Sequence, residues 1–259
     1  MFLSFFCLWS KNAGYYTPSE MFEGTRARIS LWGIPEVHYN SESAVFIAVQ
    51  NENNGISNSM VAGFHVQPRL YSGSTDLRFF VGWMTGNDGK ACYSITCQGF
   101  VVSNVSGAPV PGAIPRPLST YNGEDYFITL SIKKDEKTLD WSLYQDDNGN
   151  PILIGWWPKT LFNNTFDYAT KIAWVGNVFY PSNERSPPMG GSGHYAVEGA
   201  HKAAYISHIK IFDQNGQAMD PYIVRDLADR KDCFTTDDFK YSHHVGFHFY
   251  YGGPSGCQN

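Results

Sequence analysis

Short apolar or alternating runs recur from one end of the chain to the other, each closed by turn residues: Ala27–Leu31, Ala44–Val49, Val61–Val66, Phe79–Met84, Phe100–Val102, Tyr126–Ile132, Trp141–Gln145, Ile152–Trp157, Ile172–Phe179, Ala203–Phe212 and Val245–Tyr251. A period of two over such short stretches marks strands; a helix would return its apolar stripe every three to four residues. Asp147-Asn148-Gly149-Asn150, between two of these runs, supplies residues that tolerate positive φ and predicts a hairpin. Helix is expected in only two places, Lys159–Tyr168 and Tyr222–Asp229, the second opening behind Asp220-Pro221. About eleven strands with so little helix between them do not suit a parallel α/β array. The expected fold is all-β, a two-sheet antiparallel β-sandwich with few short helices. The proline-rich stretch Ala108–Pro117 is expected to cross the surface as an extended connection.

At 259 residues, 42% hydrophobic and 16% aromatic, the chain can bury one large core without demanding a second. One domain is expected over 15–259, behind an apolar segment, 1–14, with the character of a clipped signal remnant. That segment lacks a positive charge ahead of Met1–Trp9 and a clear cleavage site, which fits a start shortened from a longer leader. A net charge of −5 with scattered Lys and Arg leaves no basic stripe and argues against nucleic acid as a partner. No apolar run approaches the roughly 20 residues of a membrane-spanning helix.

Four of the five cysteines fall in two local groups, Cys92 with Cys97 and Cys233 with Cys257. The pattern predicts two disulfides and leaves Cys7 over, with buried free thiols as the competing reading. The triplets Asn104-Val105-Ser106 and Asn163-Asn164-Thr165 add expected N-glycosylation at Asn104 and Asn163. Both features favour an extracellular or vacuolar protein.

Several longer motifs follow in order: Gly63-Phe64-His65-Val66-Gln67-Pro68-Arg69-Leu70-Tyr71, Cys92-Tyr93-Ser94-Ile95-Thr96-Cys97-Gln98-Gly99-Phe100-Val101 and Gly155-Trp156-Trp157-Pro158-Lys159-Thr160-Leu161-Phe162. Met189-Gly190-Gly191-Ser192-Gly193-His194-Tyr195, Glu198-Gly199-Ala200-His201-Lys202-Ala203-Ala204-Tyr205 and Phe249-Tyr250-Tyr251-Gly252-Gly253-Pro254 complete the series. From about Tyr15 to Cys257 the chain resembles the plant neprosin domain. The resemblance implies a two-sheet sandwich secreted to the apoplast or vacuole, and a cofactor-free glutamic endopeptidase that cleaves after proline at acid pH. It also implies a leader and a propeptide ahead of the domain; the propeptide is expected to be missing here.

A glutamate pair serves such chemistry because two carboxylates across a cleft can hold different protonation states, one activating water and the other acting as acid or oxyanion stabiliser. The resemblance sets one glutamate two residues before the glycine of the Gly-aromatic-x-Val-x-Pro motif, where this chain has Val61. It sets the other at the end of a Trp-Gly-Gly-Glu type segment, where this chain has Asn177. Valine has no proton to exchange, and asparagine does not act as a base. Losing one general acid or base costs on the order of 10² to 10⁴ in rate. The expectation is a pseudo-peptidase that acts by binding a peptide or protein, proline-containing sequences among them. The competing expectations are an acid peptidase using a displaced carboxylate, with Glu198 as first candidate, and a carbohydrate-binding sandwich. Glu198 has the plainer alternative role of anchoring its Gly-rich loop or pairing with Lys202.

If Val61 points into the old cleft, alternation puts Ser59, Gly63 and His65 beside it and sends Met60, Ala62 and Phe64 to the core. On the other strand Val175 and Phe179 accompany Asn177, giving a mainly apolar floor suited to recognising a peptide. His243, His244 and His248 suggest a metal only weakly, since no carboxylate cluster joins them, and no metal is expected. Ser192-Gly193-His194 lacks the Gly-x-Ser-x-Gly elbow of a serine hydrolase. The seven tryptophans and sixteen tyrosines fit a carbohydrate-binding face and an aromatic core equally well.

Overall fold

The computed structural model describes residues 10–53, 55–86, 88–94, 96–147, 149–181, 187–229 and 232–256. The strands form two antiparallel sheets. The seven-stranded sheet contains β1 (Ser10–Tyr16), β3 (Glu42–Asn53), β4 (Ile56–Val66), β5 (Arg78–Met84), β6 (Ala91–Tyr93), β11 (Lys171–Phe179) and β15 (Arg225–Asp226), in the order β15-β1-β11-β3-β4-β5-β6. The eleven-stranded sheet contains β2 (Gly24–Ser30), β7 (Val101–Val102), β8 (Phe127–Lys134), β9 (Trp141–Gln145), β10 (Ile152–Trp157), β12 (Gly190–Gly191), β13 (Ala204–Phe212) and β18 (Gly246–Gly253) along its main path. The short strands β14 (Ala218–Met219), β16 (Thr235–Thr236) and β17 (Lys240–Ser242) pair onto β13 and β18.

The inner faces meet in one aromatic-rich core. Met60, Ala62, Phe64 and Val66 of β4 and Trp174 and Val178 of β11 pack there against Ile29, Leu130, Ile206 and Phe249 of the second sheet. Trp174 also ties the layers together, its indole N–H donating to Thr25 Oγ1 at 3.0 Å. Burying that N–H with a partner avoids the cost of an orphaned donor. Among the described residues, no helix is long and apolar enough to cross a membrane.

Two expected helices are corrected. Over Lys159–Tyr168 only a 3₁₀ turn forms, Lys159–Phe162, stopped by Asn163 in the left-handed region at φ 52°. Tyr222–Asp229 is not helical: Arg225–Asp226 is a strand on β1, and the Leu227 and Asp229 amides donate to Gly14 O and Asn12 O. The free edge of β1 offers those amides better partners than an isolated two-turn helix would. Of the N-terminal segment 1–14, residues 10–14 lie in β1 and pair with β11, and the rest falls outside the described residues.

The expected hairpin is present as β9 and β10, with Gln145 opposite Ile152; Asn148 lies outside the described residues. The proline-rich stretch runs beside β5, where the Gly112 amide donates to Phe79 O and the Phe79 amide to Ala113 O. Cys92 and Cys97 form a disulfide, with Cα atoms 6.0 Å apart. Cys233 is also disulfide-bonded, and Cys257, its expected partner, lies outside the described residues, as does Cys7.

Candidate functional site

The face of the seven-stranded sheet turned away from the core gathers the residues singled out in the sequence. The pairing register sets them in cross-strand rows. One row runs Asn12, Asn177, Ala44, His65, Arg78 across β1, β11, β3, β4 and β5. The next runs Gly14, Val175, Phe46, Gly63, Phe80, and the third Tyr16, Ala173, Ala48, Val61, Gly82, Tyr93. Ser59 lies beyond Val61 on β4, opposite Gln50, and Phe179 lies beyond Asn177 on β11, opposite Glu42. Ala44, Phe46, Ala48, Phe80 and Val175 form a second apolar cluster here, with Val61, Tyr93, Ala173 and Leu227 packed on it and partly open to solvent.

Val61 and Asn177 share this face but not a row. Val61 meets β11 at Ala173 across β3, whereas Asn177 meets β4 at His65. The four-residue offset amounts to about 13 Å along the strands, so the two side chains do not abut. Val61 covers Gly82 closely: a Cβ added there would lie 2.9 Å from Val61 Cγ2. Asn177 is fully buried, and its amide nitrogen donates to Ser10 Oγ at 2.6 Å and Asn12 Oδ1 at 2.9 Å, while its carbonyl oxygen has no partner among the described residues. Asn12 in turn donates to Asp229 Oδ2 at 2.6 Å.

The apolar floor expected from the sequence is broken by a carboxylate that the strand pattern passed over. Glu42 projects onto the same face as Ala44 and Phe46, and its Oε1 lies 2.7 Å from His65 Nδ1. His65 is 0% and Glu42 1% exposed. The Tyr71 hydroxyl lies 3.1 Å from His65 Nε2, and Phe80 stacks on the imidazole with ring centroids 4.4 Å apart. Burial raises the pKa of Tyr71; it raises that of Tyr93 further, with the Glu42 charge adding to the effect. Glu42 Oε2 has no hydrogen-bond partner among the described residues. Extending the run Ala44–Val49 back by two residues keeps Glu42 in phase with Ala44, and that was the available sequence signal.

Glu198 sits in a different setting. It ends the 3₁₀ turn Ala196–Glu198, accepts the Tyr195 amide at 3.2 Å, faces His194 Nδ1 at 3.1 Å and accepts the Tyr121 hydroxyl at 3.1 Å. Burial pushes its pKa up, but the Tyr121 hydrogen bond, the neighbouring His194 and the Tyr195 amide outweigh that and leave it below the ordinary carboxylate value. These are the contacts of a loop anchor, made by His194, Tyr121 and Tyr195. The His194 amide donates to Ser192 Oγ, so the Ser192–His194 pair meets through backbone and not through the imidazole. His248 is buried with Nδ1 2.9 Å from Gly246 O, and His243 and His244 are exposed. Asn104 and Asn163 are both exposed.

The neprosin family model matches residues 39–254. The chain belongs to the neprosin family. In structure, the domain is similar to scytalido-glutamic peptidase crystallised with a transition state analog inhibitor, at TM-score 0.50 and 11% identity, covering 93% of this chain and 97% of that one. It is also similar to the same peptidase with a peptide-based transition state analog, at TM-score 0.49, 9% identity and coverage of 95% and 98%. At such identities the likeness is one of fold. The neprosin domain described here is thus a glutamic peptidase-like β-sandwich, with its outer apolar cluster on the seven-stranded sheet.

Proposed function

We propose that this neprosin domain binds a peptide or protein segment without cleaving it. The observation that carries the reading is the chemistry at Val61 and Asn177, the positions where the family resemblance expects glutamates. Neither residue exchanges a proton in the acid range, and the Asn177 amide is committed to Ser10 and Asn12 on the neighbouring strand. Around Val61, the partly open Tyr93, Ala173 and Tyr16 supply apolar and aromatic surface on which an extended, proline-containing segment finds packing partners.

The test pairs a binding assay with a cleavage assay. A fluorescently labelled proline-containing peptide library is titrated into the protein, and a quenched version of it is incubated between about pH 2 and pH 7. Saturable binding with no turnover supports the reading; turnover by the unaltered protein overturns it.

A second reading, an acid peptidase using a displaced carboxylate, is favoured by one observation, the unpartnered Glu42 oxygen on this face. It moves the candidate from Glu198 to Glu42. Any turnover that survives Glu198→Gln but not Glu42→Gln supports this reading.

A further inference from the structure

On the outward face of the other sheet, Arg28 of β2 forms no direct ion pair among the described residues, although the more distant Asp147 charge favours its charged form. Its guanidinium lies over the Phe127 ring, 3.8 Å from the centroid, and Nε is buried without a hydrogen-bond acceptor among the described residues. Burial lowers its pKa, which means that the charge is held there at a cost. The register surrounds it with donors. Ser207 stands opposite Arg28, Tyr205 stands opposite Tyr250, and His208 follows at the point where the β13 register against β2 shifts. His208 has φ 50°, a conformation that non-glycine residues rarely adopt and that turns the ring toward Ser207 Oγ, 3.3 Å away. His248 packs edge-on against Tyr250, with ring centroids 6.0 Å apart.

Most other charges near this spot have partners, the exception being Asp125 Oδ1, which is buried without one among the described residues and whose charge raises the pKa of Tyr205 and Tyr250. Arg26 pairs with Asp146 at 2.6 Å, Asp125 with His201 at 3.0 Å, and Lys240 with Asp237. Asp147 accepts the Thr129 amide and the Gln145 side-chain amide, both at 2.6 Å. Arg28 forms no ion pair among the described residues, and Thr129 Oγ1, on the strand position beside it, is also buried without a partner. Burial, followed by the charges of Arg28, Arg26 and His248, pushes the pKa of His208 down to about 4.

We propose that Arg28, flanked by Tyr205, Tyr250, His208 and His248, forms a binding site for an oxyanion, a carboxylate or phosphate group, on the outer face of the eleven-stranded sheet. The planar guanidinium matches such a group with two parallel N–H bonds, and the phenol hydroxyls supply further donors. Phe127, itself 37% exposed, gives the carrier of that group an aromatic surface to rest on. The site is independent of the peptide-binding reading, because it lies on the opposite sheet.

The test titrates the intact protein with sodium acetate and, separately, with sodium phosphate, holding ionic strength constant with sodium chloride. The ring proton resonances of His208 and His248 are followed by NMR. Saturable shifts with a dissociation constant on the order of 1 mM or tighter are expected. Response to both salts indicates recognition of any oxyanion; response to phosphate alone assigns the site to phosphate groups. Arg28→Gln should weaken binding by roughly 10-fold or more, since it removes a charge-assisted bidentate contact. Tyr205→Phe, which deletes a single hydroxyl, should weaken it by a smaller factor and serves as the readout if Arg28→Gln fails to fold. The absence of saturation with either salt, or equal affinity in the substituted protein, overturns the proposal.

Discussion

His65 Nδ1 lies 2.7 Å from Glu42 Oε1 in a setting where both side chains are excluded from water. A pair so deep gains its stability from mutual compensation, and removing one partner strands the other. His65→Leu alone is expected to destabilise the fold by about 3–5 kcal/mol in urea unfolding. The double replacement Glu42→Met, His65→Leu should cost clearly less than the sum of the two single changes, a non-additivity that a double-mutant cycle measures directly.

Gly63 carries the closest strand approach on this face. A Cβ there would fall 2.0 Å from Val45 O and 2.6 Å from Phe46 Cα, both backbone atoms that cannot swing aside. Gly63→Ala is therefore expected to cost roughly 3 kcal/mol or more, through strain between β3 and β4. A melting temperature unchanged from that of the unaltered protein would refute it.

His208 gives the fold an acid-sensitive term. Its pKa is 6.5 ordinarily and about 4 in the folded protein, so between those values the unfolded chain binds the extra proton. The stability it contributes is fully present above about pH 6.5 and is lost as pH falls toward 4. His208→Asn, which tolerates the same left-handed backbone, should flatten the pH dependence of unfolding across that window. Chemical denaturation at half-unit pH steps measures it.

The Asn177 amide holds β1 to β11 through Ser10 and Asn12. Asn177→Ala should cost about 1–3 kcal/mol and lower hydrogen-exchange protection in β1 more than in β3, whose pairing with β4 is untouched.

Asn104 and Asn163 are exposed on connections between strands. Expression through a secretory pathway is expected to add a glycan at each, seen as two mass steps removed in turn by Asn104→Gln and Asn163→Gln.

The sandwich was legible because most of the long strands are short apolar runs closed by turn residues. β9 and β10 fall on the very residues expected, and β11 gains only Lys171. What escaped were elements with no apolar period of their own. β1, whose sequence is Ser-Lys-Asn-Ala-Gly-Tyr-Tyr, owes its place to partners on both sides rather than to its composition. Arg225–Asp226 is held in the same way, by the edge that β1 offers. At the candidate site, alternation correctly separated Met60, Ala62 and Phe64 from Val61 and His65, since one parity enters the main core and the other the outer cluster. Register was beyond reach: nothing in the sequence says that Asn177 crosses to His65 and not to Val61. The Glu42–His65 pair was hidden for the same reason, because its partners come from different strands.

Asn12 is bonded to Asp229, 217 positions further along the chain. During synthesis, β1 is made before both of its partners and waits for β11 on one side and for Arg225–Asp226 on the other. Until they are made it is an unpaired template, open to any passing strand. One edge of β1 is closed when β11 follows and the other only when Arg225–Asp226 is made, so of the two edges the second is the longer exposed.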